Sequence, residues 1–82
     1  MMTTSKSRGY AYGMVKLIQA ADQSLPAVKL GQLCVERDIP VRDVANALGV
    51  ARMTVYHWFT GRFRPRQAYE QKIIKLLEDL QA

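Results

Sequence analysis

The chain has 82 residues, of which 49% are hydrophobic and 23% charged, with a net charge of +5. A chain of this size makes one domain and buries only about 60 to 65% of the surface it exposes when unfolded, which leaves no room for a separate sensor domain. A lone cysteine, Cys34, excludes an internal disulfide and a cysteine-rich zinc site and suits a reducing cytosol. No apolar run approaches the roughly 18 residues of a membrane span and no signal-peptide core is visible, so a cytoplasmic protein with no membrane partner is expected.

Residues 1–8, MMTTSKSR, are polar and aperiodic and predict a flexible tail, followed by a single helical domain over 9–82. An extra N-terminal helix is expected over 10–24, because Met14, Leu17, Ile18, Ala21 and Leu25 fall on one helical stripe. Gly13 weakens its first turn by up to about 1 kcal/mol. Pro26 disfavours helical geometry at Leu25, so the helix should stop near Ser24. Its polar face is too weakly charged for a membrane-surface helix. Val15 lies off the stripe. Pro26 then suits the first turn of the next helix, where its missing N–H costs nothing. That helix carries Leu30, Leu33 and Cys34 on one face, with Cys34 as a small core residue, and closes near Arg37 and Asp38.

Residues 41–61, VRDVANALGVARMTVYHWFTG, predict two short helices joined at Gly49. Val44, Ala45 and Leu48 share one face of the first, and Val55, Trp58 and Phe59 share one face of the second. Ala45 is small where the second helix must approach, and Gly49 can take the left-handed conformation that ends a helix. With Val55, Trp58 and Phe59 inward, at about 100° per residue Met53, Tyr56, His57 and Thr60 point outward, with Arg52 on the leading flank. The connector RFRP is expected to be a loop. Pro65 then opens a last helix over 65–81 whose inward stripe is Tyr69, Ile73, Leu76, Leu77 and Leu80, with Ile74 off it. Five helices and no convincing strand predict an all-α, compact bundle.

The spacing of Ala45, Gly49, Val55 and Trp58, with Val44, Leu48 and Val50 between them and the tail WFTGRFRP after them, resembles the helix-turn-helix of the lambda-repressor-like and Cro-like phage and bacterial regulators. The resemblance covers roughly residues 27 to 80. It implies a lambda-repressor-like fold and a small repressor that occupies an operator. Two positions depart from the family's pattern. Ala51 stands where a small hydroxyl residue usually caps the second helix, forgoing about 1 kcal/mol, and Val41 replaces a glutamine that often touches phosphate.

The charge pattern points to the same partner. No acidic residue lies between Asp43 and Glu70, whereas Arg52, Arg62, Arg64 and Arg66 do, leaving the second motif helix and its following loop electropositive. Double-stranded DNA is the expected ligand. Arg52, Met53, Tyr56, His57 and Thr60 are the candidates for base readout, since arginine can pair bidentately with guanine and an apolar side chain can cover a thymine methyl. Arg42, Arg62, Arg64 and Arg66 are the candidates for phosphate. Arg42, Arg52 and Arg66 are expected in helix first turns, with Arg64 just outside one, where a cation costs roughly 0.3 to 1 kcal/mol unless an anion arrives. Val15 and Ile74 are candidate dimer contacts, and a homodimer would set two recognition helices about 34 Å apart on the duplex.

No paired carboxylates or activated nucleophile are readable, so no enzyme is expected, and neither is a cofactor, a metal or a small-molecule ligand. Two readings of other kinds stay open. One is a helix-turn-helix protein-interaction module, such as a phage accessory factor, an antitoxin or a polymerase adaptor. The other is an architectural DNA binder without sequence preference.

Overall fold

The computed structural model describes residues 12–81, which form five α-helices and no strand: α1 (Tyr12–Ala20), α2 (Pro26–Glu36), α3 (Val41–Leu48), α4 (Arg52–Phe59) and α5 (Gln67–Gln81). The all-α expectation holds. The tail expected over 1–8 and the helix start expected at residue 10 lie outside the described residues.

Helix α2 is the hub, packing against α1, α4 and α5, while α3 packs on α4 and α5. Pro26 occupies its first turn, as its fixed φ and missing N–H allow. Val28, Leu30 and Cys34 are fully buried along it, joined in the core by Ile18, Val55, Phe59 and Ile73. The approach of α4 to α2 depends on Gly31, where an added Cβ would stand 2.6 Å from Phe59 Cγ and 2.8 Å from Phe59 Cβ. These atoms belong to the root of the ring and cannot swing aside. Gly31 is therefore the position at which the two backbones are allowed to close.

Three of the helices end through a left-handed residue that returns the next N–H to a carbonyl of the last turn. After α2 it is Asp38 (φ 59°), with Ile39 N–H donating to Cys34 O at 2.8 Å. After α3 it is Gly49 (φ 72°), with Val50 N–H donating to Ala45 O at 3.0 Å. After α4 it is Gly61 (φ 76°), with Arg62 N–H donating to His57 O at 2.9 Å. Asp38 takes this conformation without being glycine, a role that aspartate tolerates better than most side chains.

At both ends of the chain the structure corrects the expected register. Helix α1 stops at Ala20 rather than near Ser24. The Asp22 carboxylate accepts hydrogen bonds from Ser24 N–H at 2.9 Å and Ser24 Oγ at 2.7 Å, so a side-chain turn replaces the last helical turn. Residues 21–25 therefore do not continue the helical stripe, and the buried edge of α1 is made by Ile18 with Met14 and Val15 beside it. Val15, expected to project outward, is half-buried against the core, and Leu17, expected inward, is 58% exposed. Gln32 fastens α1 to α2 by donating from Nε2 to Ile18 O at 3.1 Å. Helix α5 opens at Gln67 rather than Pro65, with Arg66 O as acceptor for the N–H groups of Tyr69 and Glu70. Ile73 and Leu77 form its buried stripe, flanked by half-buried Tyr69, Leu76 and Leu80. Arg37 Nη1 donates to Leu80 O and so tethers the end of α5 to the end of α2.

Candidate functional site

Helices α3 and α4 are joined by residues 49–51 and pack through small and branched side chains. Val44, Ala45 and Leu48 are buried on α3, and Val55, Trp58 and Phe59 on α4. The Trp58 ring lies 5.5 Å from that of Tyr69 at a tilt of 44°, which joins α4 to the start of α5. The inward side of α4 is thus fully committed to the core, and whatever α4 does chemically must be done from its other side.

That outward side begins at a helix terminus without a side-chain cap. Ala51 occupies the cap position and makes no side-chain hydrogen bond, Arg52 is the first helical residue, and the first turn holds no acid. An anion there would meet the Arg52 guanidinium and the unpaired N–H groups together. Arg52 is exposed, and Met53 is 61% exposed. Tyr56, His57 and Thr60 are only half-buried, so each presents an edge. Tyr56 packs against the core, and that burial raises its phenol pKa above the ordinary tyrosine value against the opposing pull of Arg52. The phenol stays protonated at neutral pH. The Thr60 hydroxyl lies 2.9 Å from Tyr56 O and 3.3 Å from His57 O, so its proton goes to the helix backbone. Thr60 is left with acceptor capacity alone.

Beyond Gly61 the chain folds back over the end of α4. Arg62 and Phe63 both direct their N–H groups at His57 O, at 2.9 and 3.3 Å. The Phe63 ring meets His57 edge to face, with centroids 4.9 Å apart and planes at 71°. The Arg62 guanidinium lies 5.8 Å from the centre of the same ring. Phe63 is nonetheless 56% exposed. It belongs to the site by contact, although the sequence pattern marked it only as loop; the available signal was an aromatic placed between two arginines just past a helix.

The arginines differ in their surroundings. Arg42, Arg62, Arg64 and Arg66 are all exposed. Arg42 lies in the first turn of α3 beside Asp43. Arg66, expected inside a first turn, instead immediately precedes α5. Arg64 lies close enough to Asp22 to help hold that carboxyl below its ordinary value, after the two hydrogen bonds from Ser24, which contribute more. Of the apolar residues proposed for a dimer contact, Ile74 is 37% exposed, whereas Val15 packs against the core. Among the described residues no group of three His, Cys, Asp or Glu side chains could hold a metal ion, and no helix is long and apolar enough to cross a membrane. Compared with protein-family models, curated proteins and solved structures, the chain finds no match.

Proposed function

We propose that this chain is a sequence-specific double-stranded DNA-binding regulator of the helix-turn-helix kind, acting in the cytoplasm as a small Cro-like repressor on an operator. The observation that carries the reading is the outward side of α4. An exposed arginine opens an uncapped helix, an exposed methionine follows, and a loop with three exposed arginines leaves the other end. A helix of this width fits the major groove, where Arg52 would pair with guanine and Met53 would cover a thymine methyl. Tyr56 and His57 would add donors or acceptors farther along, and Thr60 an acceptor. Arg42, Arg62, Arg64 and Arg66 would fix the protein on phosphates. A homodimer using Ile74 would place two such helices on successive turns of the groove, about 34 Å apart.

The test is selection from a random duplex pool, with sequencing of what the purified protein retains. An enriched palindrome with half-sites about 10 base pairs apart supports the dimeric regulator. Retention without an enriched motif points to an architectural binder. A second reading, a protein-interaction module, is favoured by one observation: Met53 and Phe63 expose large apolar surface on or beside α4. Failure to retain any duplex at low salt would transfer the proposal to that reading.

A further inference from the structure

We infer that Phe63 is a direct DNA contact, seating its ring against an apolar edge of a nucleotide, either a thymine 5-methyl group or a deoxyribose face. The inference rests on the DNA-binding reading and adds to it a residue outside α4. At the end of α4 the Thr60 hydroxyl has turned its proton to the backbone carbonyls of Tyr56 and His57. The group that stands free at that end is the Phe63 ring, more than half exposed. It is not a loose side chain. Its backbone N–H and that of Arg62 are both fixed to His57 O, and its ring is braced by the His57 imidazole on one side and the Arg62 guanidinium near its face.

An aromatic ring held rigidly in solvent loses little conformational entropy on contact and gains the full benefit of leaving water. The flanking Arg62 and Arg64 say what kind of surface covers it. Two guanidinium groups disfavour a purely apolar partner surface, and a nucleotide offers phosphate and an apolar edge within a single residue. Thymine methyl in the major groove and the sugar beside it are the two apolar surfaces available there.

The experiment measures the affinity of native protein, Phe63→Ala, His57→Ala and the double variant for the selected duplex, and for the same duplex with deoxyuridine in place of thymidine. Phe63→Ala is expected to weaken binding about tenfold, with an unchanged melting temperature and an unchanged salt slope. In the His57→Ala background Phe63→Ala should still weaken binding. If native protein loses more affinity than Phe63→Ala on removal of the methyls, the contact is the methyl; if both lose the same, it is the sugar, the shared loss belonging to Met53. A Phe63→Ala protein that binds as well as native overturns the inference and leaves the DNA reading standing. A loss that vanishes in the His57→Ala background also overturns it, because Phe63 then acts only by positioning His57. If native protein binds no duplex at all, the DNA reading and this inference fall together.

Discussion

On the inward side of α4, Val55, Trp58 and Phe59 are sealed in the core, whereas on the outward side Arg52 and Met53 stand in solvent with no acid in the first turn. The inward side is dense enough that Gly31 of α2 has no room for a methyl group against Phe59. The outward side spends helix stability, since its terminus is uncapped and opens with a cation. Local rules are kept where α4 supports the fold and broken where it faces solvent, a pattern expected of a surface shaped for a ligand. Stability and recognition should therefore separate cleanly between side chains that are neighbours in sequence.

The strongest attempt to break that separation is Trp58→Ala. Removing the ring from its contact with Tyr69 and the core should cost about 3 to 5 kcal/mol of stability. An unchanged melting temperature would mean that the inward side is not what holds α4. Gly31→Ala should follow at about 1 to 3 kcal/mol, because overpacking against the root of Phe59 outweighs the gain of up to about 1 kcal/mol in helix propensity. Thermal unfolding that shows Gly31→Ala to be stabilised would contradict the close approach of α2 and α4.

Arg52→Ala tests the other side. It should leave unfolding within about 0.5 kcal/mol of native while removing about 1 to 3 kcal/mol of preference at one base position. Equal weakening on every sequence would reduce Arg52 to a phosphate contact. The smallest effects belong to the arginines of the loop. Arg62→Ala and Arg64→Ala should each lower the slope of log affinity against log salt by about 0.9, the value of one phosphate contact. An unchanged slope in either variant would remove that arginine from the phosphate contacts.

How much of this was legible before the structure depended on whether the determining interaction was local. Helices α3 and α4 and the break between them at Gly49 could be read because their apolar spacing and the left-handed residue are properties of a short window. The stripe of α5 was legible for the same reason. Helix α1 misled, because its end is set by the Asp22 carboxylate capturing Ser24, and a helical stripe drawn through 21–25 assumes geometry that this turn abolishes. Gly31 gave no sign of its importance, since its neighbour Phe59 is distant in sequence. In the site, exposure of Arg52 and Met53 followed from the helical wheel, whereas the inward turn of the Thr60 hydroxyl and the bracing of Phe63 on His57 depend on how the chain folds back after Gly61.

In the proposed function the outward side of α4 and the arginine loop engage duplex DNA. The most direct test is a binding titration of the native protein on a selected duplex across a range of salt concentrations. A linear fall of log affinity with log salt is expected, with a slope of several units, near 0.9 for each arginine on phosphate. Affinity that is absent at low salt, or indifferent to salt where it is present, would contradict the account.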